Sequence, residues 1–263
     1  MGSSTLSRVR IGLALLAAAW LLTPLGAQPS PHHTRHLEQF GAAAPGFNAF
    51  VLQAIDIVQA HAPDGGGYFM GVTADPPESP IGYPLQLLGQ PLLTPPRPTS
   101  YCSGSSYAVL VEALNRIYPD RKVSPERLEA LRMQEPDGSR REDRVKAWGW
   151  WNADGPGSHY ALVQYLGMGD PIMPAEARPG DFVNISWKSG NGHSVVFLGY
   201  DRDAEGKLRF SFFSSQKSTN GLADHTVSAD TIQDVKFVRL THPERLFTFP
   251  LDVPVVDVKG DPL

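Results

Sequence analysis

Two rhythms of apolar and polar positions divide the chain. Phe50, Val51, Ala54, Ile55 and Val58 recur at the i, i+3, i+4 spacing of one helical face, which predicts an amphipathic helix over Phe47 to Ala62. Residues 63–100 lose that period among prolines and glycines. Their Pro-rich part, 73–98, is long for a connection and is expected to form irregular lids or walls of a cleft. The helical rhythm returns from Ser103 to Tyr118, with Tyr107, Leu110, Val111, Leu114, Ile117 and Tyr118 on one face and Pro119 as the stop. Ser124-Pro125-Glu126 then predicts a second helix start, with Ser124 as N-cap and Pro125 in the first turn. From Asp181 the period changes to that of short strands. These are Phe182 to Ile185, Ser194 to Tyr200, Leu208 to Ser215 and Val235 to Leu240, with a hairpin loop over Asp201 to Lys207. Helices first and an antiparallel sheet afterwards is the α+β layout.

The ends of the chain read differently. Arg8 and Arg10, an apolar run from Ile11 to Leu22 and the small residues of Leu25-Gly26-Ala27 form the pattern of a secretory signal peptide, assigned to 1–27. The run is about 12 residues, short of the roughly 20 that span a bilayer, so no stable membrane span is expected after cleavage. Residues 28–45, rich in Pro, Ala, His and Gly, read as a linker or loose arm that leaves His32, His33 and His36 solvated. Residues 46–250 would form one catalytic domain and 251–263 a C-terminal tail. Cleavage would remove two arginines and no acidic residue, moving the formal net charge from −4 to −6. That balance argues against nucleic acid as a partner.

The chain of 263 residues holds one cysteine, Cys102. In an exported protein a lone thiol is buried and inert, paired between chains, or reactive. Cys102 stands just before the strongest predicted helix. Free N–H groups and the partial positive charge of a helix start favour the thiolate nucleophile and can hold an oxyanion. Ser103 and Gly104 keep that turn small and leave room for a substrate backbone. A thiolate needs an oriented base. His193 follows Asn191-Gly192 at the head of the apolar strand Ser194–Gly199, where it can face a cleft. Pairing Tyr200 with Leu208 would bring His193 near Ser215, so Gln216, or else Ser214 or Ser215, can hold its second ring nitrogen.

These residues resemble a known family. Tyr101-Cys102-Ser103-Gly104 before an apolar helix is similar to the Asp-Cys-Ser-Gly nucleophile motif of the NlpC/P60 cysteine peptidases. Ala177-Arg178-Pro179-Gly180-Asp181-Phe182-Val183 resembles their Pro-Gly-Asp strand, and Gly192-His193-Ser194-Val195-Val196-Phe197-Leu198-Gly199 resembles their histidine strand. The resemblance covers about residues 80–220. It implies a papain-like NlpC/P60-type fold, with N-terminal helices packed on an antiparallel sheet, and a cysteine peptidase or amidase acting on peptide or amide bonds, typically in bacterial cell-wall (peptidoglycan) peptides. It also implies a tyrosine upstream of the nucleophile that shapes the oxyanion site, for which Tyr83 is the candidate. Tyr101 stands where the family has Asp, and a polar cluster stands where it has a second His. Those departures leave open a remote member, a non-catalytic binding module on the same fold, or an acyl transferase using the same Cys/His dyad.

The remaining candidates are secondary. Trp148, Trp150 and Trp151 lie among glycines, and Trp151 in particular can stack on a sugar or peptide or simply pack in a core. His159 competes for the base role but lacks a strand context, and His225 after Asp224 reads as surface. No His/Cys/Asp cluster has zinc spacing and no glycine loop matches a nucleotide site, so neither a metal nor an organic cofactor is expected.

Overall fold

Small side chains decide where the longest helix lies. The computed structural model describes residues 30–70, 81–95, 97–131, 157–251, 253–254, 256 and 258–263. Four α-helices run over His36–Phe40 (α1), Asn48–Ala60 (α2), Cys102–Ile117 (α3) and Pro125–Leu131 (α4). Cys102 is thus the first helical residue of α3. Every residue from Cys102 to Val111 is buried, because glycine and serines fill the first turns and let the helix press against the sheet. The Ser124 hydroxyl accepts from Arg127 N–H at 3.4 Å at the head of α4.

The strands are Leu85–Leu87 (β1), Gln90–Leu93 (β2), Gly169–Ile172 (β3), Phe182–Trp187 (β4), Gly192–Arg202 (β5), Leu208–Gln216 (β6), Gly221–Ser228 (β7) and Ile232–Leu240 (β8). β1 and β2 form a separate hairpin. The other six make one antiparallel sheet in the order β3-β8-β4-β5-β6-β7. The α+β architecture expected from the sequence is present. β3 and β7 were not anticipated, nor was the β1–β2 hairpin, inside the Pro-rich stretch expected to be irregular; the Gly169-Asp170-Pro171-Ile172 segment carries no alternation to mark it. Two apolar clusters flank the sheet. Val196, Leu198 and Phe213 join the helices on one face, while Val195, Phe197, Phe210, Phe212 and Phe237 pack on the other.

The Pro-Gly-Asp segment is explained by what crowds it. Gly180 has φ +92°, and a Cβ there would lie 2.8 Å from Asn48 Cβ. Asp181, fully buried, accepts from Asn48 Nδ2 (2.8 Å), Arg178 N–H (2.7 Å), and Arg239 Nε and Nη2 (2.8 Å each). One carboxylate therefore ties α2 to β4 and β8.

The segment 28–45 is not a loose arm where it is described. His36 is fully buried. Its Nδ1 lies 2.7 Å from Asp56 Oδ1 on α2 and its Nε2 2.7 Å from Asp224 Oδ1 on β7; His33 Nε2 lies 2.8 Å from Asp224 Oδ2. Burial lowers the His36 pKa, but the bonds to Asp224 and Asp56 outweigh it and raise the value to about 9. The segment could not look ordered from its own composition, because its partners lie about 20 and 190 positions away. The C-terminal tail is also tied down, since Asp261 and Val235 exchange backbone hydrogen bonds. No helix among the described residues is long and apolar enough to cross a membrane.

Candidate active site

The head of α3 is seated by hydroxyl groups. Ser105 N–H already bonds Tyr101 O (2.8 Å), which leaves the N–H groups of Cys102, Ser103 and Gly104 outside the helical ladder. Ser105 Oγ donates to Cys102 O at 2.7 Å, and Ser106 Oγ does so at 3.3 Å. From the sheet, Ser194 Oγ donates to Ser106 Oγ (3.0 Å), and Ser214 Oγ donates to Ser194 O (2.8 Å) while lying 3.4 Å from Ser105 Oγ. Ser100 Oγ donates to Ser215 Oγ at 2.7 Å. Ser214 is therefore committed to docking α3 on β5 and β6, and Ser215 to holding the residue two before Cys102. Ser103 is buried at 1% exposure in the first turn, and Cys102 itself is 1% exposed.

His193 stands at the same end of the sheet, second in β5, but its ring takes the opposite face. Strand alternation gives Ser194 to α3 and His193 to the face of Ile185, its cross-strand partner. The ring meets Phe212 edge-on (centroids 5.5 Å apart) and Trp187 at 6.1 Å. Burial pushes its pKa down to about 4; Gln216 opposes that shift and His225 adds to it. The imidazole is accordingly neutral at pH 7.

Gln216 lies beside His193 because β5 bulges at Leu198. Tyr200 pairs with Phe210, but past the bulge Phe197 pairs with Phe212 and Val196 with Phe213, and that register continued sets His193 across from Gln216. The Gln216 amide donates to Thr219 Oγ1 at 2.6 Å. Its buried Oε1 has no partner of normal hydrogen-bond geometry, so its contact with the imidazole is a loose one. His193, Gln216, Trp187, Tyr68, Lys217 and His225 line a cavity of about 270 Å³. His225 thus faces a cavity and is only partly exposed.

Tyr83 is committed elsewhere. Its hydroxyl donates to Glu112 (3.2 Å) and its ring stacks on His61 (3.8 Å). Glu112 lies ten residues along α3 from Cys102, roughly 15 Å by helical rise. The tyrosine that feels Cys102 is Tyr68. Burial first, and then the Cys102 thiolate, raise its phenol pKa, which keeps the hydroxyl protonated and a donor. Sequence reasoning missed Tyr68. The signal was present in Asp64-Gly65-Gly66-Gly67-Tyr68, where all three glycines have positive φ. They let the chain cross β7 (Gly67 N–H to Asn220 O, 2.7 Å; Leu222 N–H to Gly65 O, 2.9 Å) and then pair Tyr68 with Ser100, two residues before Cys102. His159 begins a π-helical segment, His159–Tyr165, with its pKa lowered first by burial and then by Lys236. Trp148, Trp150, Trp151, residues 1–27 and part of the Pro-rich stretch lie outside the described residues. Compared with family models, curated proteins and solved structures, the chain matches none.

Proposed function

We propose that the chain is an exported cysteine hydrolase with a papain-like, NlpC/P60-like fold, acting on peptide or amide bonds of cell-wall peptides. The observation that carries this reading is Cys102 as the first residue of a 16-residue helix, beside Tyr68 and at the sheet end where His193 and Gln216 line a cavity. Cys102 Sγ attacks the substrate carbonyl carbon, and neutral His193 takes the thiol proton. The N–H groups of the first turn and the Tyr68 hydroxyl face the oxyanion. Collapse of the tetrahedral intermediate breaks the C–N bond as His193 returns the proton to the leaving amine. Water then hydrolyses the thioester and restores the thiol. No step in this sequence calls for a metal or an organic cofactor. It does require the His193 ring to turn round the strand end toward α3 when substrate binds. Replacing one oxyanion donor costs about 10²–10³-fold in kcat in related chemistry, and Tyr68→Phe is expected to fall in that range with a smaller change in KM.

A second reading has its own observation. Cys102 is 1% exposed and the His193 ring packs edge-on against Phe212, which suits a binding module that keeps the layout without the reaction. The test is digestion of cell-wall muropeptides by the mature protein and by Cys102→Ala, with products read by mass spectrometry. Fragments from the wild type alone support the hydrolase. Fragments from neither favour the binding module. Equal fragments from both remove Cys102 as nucleophile.

A further inference from the structure

The geometry points to a divalent transition-metal site, suited to zinc, formed by His33, His36 and Asp224 and distinct from the cysteine centre. One ligand atom from each of the three residues lies within 4.8 Å of the others. The two histidines converge on the two oxygens of one carboxylate, at 2.7 and 2.8 Å, from rings stacked 4.2 Å apart. Two imidazoles and one carboxylate form a donor set that binds zinc and leaves a fourth position open. Three features separate the cluster from a chance surface grouping. His36 is fully buried and His33 has a side-chain exposure of 10%. Asp56 holds His36 Nδ1 at 2.7 Å, which fixes the ring with Nε2 toward Asp224; a carboxylate behind a ligating histidine is the usual outer partner of a metal site. His33 and Asp224 also line a cavity of about 640 Å³ that includes Ser30, Tyr200, Asp201 and His225, so a bound ion would have an open coordination position and a route for exchange.

Charge favours the same reading. Asp56 and Asp224 bring two negative charges to His36, and a divalent cation that displaces its proton balances both. The ion would take the place of the His33 and His36 Nε2 contacts to Asp224 (2.8 and 2.7 Å), and with the His33 proton on Nδ1 the Arg35 N–H contact at 3.3 Å would be given up. The ion would join the N-terminal segment to α2 and β7, tying that segment to the sheet independently of whether Cys102 is catalytic.

The experiment uses the full mature chain without an affinity tag, stripped with a chelator and titrated with zinc by calorimetry. Cobalt(II) absorption gives a second reading of coordination. One zinc per chain is expected, with a higher Tm when bound. His33→Ala should weaken binding at least 100-fold while leaving the far-UV circular dichroism and the metal-free Tm close to wild type. Asp56→Asn should weaken it about 10–100-fold, the usual effect of losing an outer partner. Cys102→Ala should bind as wild type does. Absence of stoichiometric zinc binding by the wild type would overturn the proposal and leave the cluster a purely ionic clamp. So would equal affinity in His33→Ala, or loss of binding in Cys102→Ala.

Discussion

Asp181→Ala removes the carboxylate on which three parts of the fold converge. The side chain is fully buried and accepts four hydrogen bonds, from Asn48, Arg178 N–H and two nitrogens of Arg239. Alanine would leave Arg178 N–H and Arg239 Nε without their carboxylate acceptor and the guanidinium, 19% exposed, without its counter-charge, while Asn48 Nδ2 keeps Pro179 O and Arg239 Nη2 keeps Glu176 O (2.9 Å each). Removing one partner of a buried ion pair costs about 3–5 kcal/mol, because the other charge stays desolvated. For a chain of this size each kcal/mol shifts Tm by about 2–4 °C, so a fall of roughly 6–20 °C is expected. The assay is urea unfolding followed by tryptophan fluorescence, with the midpoint reporting stability and an unchanged m-value showing that the same surface unfolds. Asp181→Ala combined with Arg239→Met should lose less than the sum of the two single changes, with a coupling of at least about 1 kcal/mol. A loss below about 1 kcal/mol for Asp181→Ala, or strict additivity, would refute the view that this carboxylate holds α2, β4 and β8 together.

Two further outcomes are expected. The native pKa of His193 is about 4, below the unfolded value near 6.5, so between those pH values the unfolded chain takes up a proton that the native chain resists. Stability should therefore fall as pH drops from about 6.5 toward 4, and His193→Gln should flatten that part of the urea-midpoint profile; an unaltered profile would show that the ring is not held neutral. Gly221 has φ +110°, and a Cβ there would lie 2.1 Å from Gly65 O and 2.7 Å from Gly67 O. Gly221→Ala should cost about 1–3 kcal/mol for backbone conformation alone, with the clash adding to it. The same change should loosen the Tyr68 segment, seen as faster proteolysis near Gly65–Gly67, and wild-type protease resistance would count against that packing.

Local patterns carried much of the architecture. The helix starts at Asn48, Cys102 and Pro125 and the strands β4, β5, β6 and β8 follow from periods of 3.6 and 2 together with caps and proline stops, which are short-range properties. β7 was hidden because its Gly221-Leu222-Ala223-Asp224-His225 run breaks alternation at Asp224, whose partners His33 and His36 lie far along the chain. The placement of Cys102 at a helix start was legible for the same reason. The face taken by His193 was not, since β5 and its partners decide it. Tyr200 pairs with Phe210 rather than Leu208, which alone would set Lys217 across from the histidine; the one-residue bulge at Leu198 moves the partner to Gln216, and no sequence period records a bulge.

The sequence by itself determined the α+β order of elements and the lone thiol at the head of the strongest helix. Only the tertiary structure decided that Tyr68 rather than Tyr83 neighbours the thiol, that Ser194 rather than His193 faces α3, and that His33 and His36 are gathered around Asp224. The physical reason is common to all three. Helix and strand propensities act over a few residues, whereas these pairings join positions tens to nearly two hundred residues apart and exist only once the sheet's register and the packing of its two faces are set.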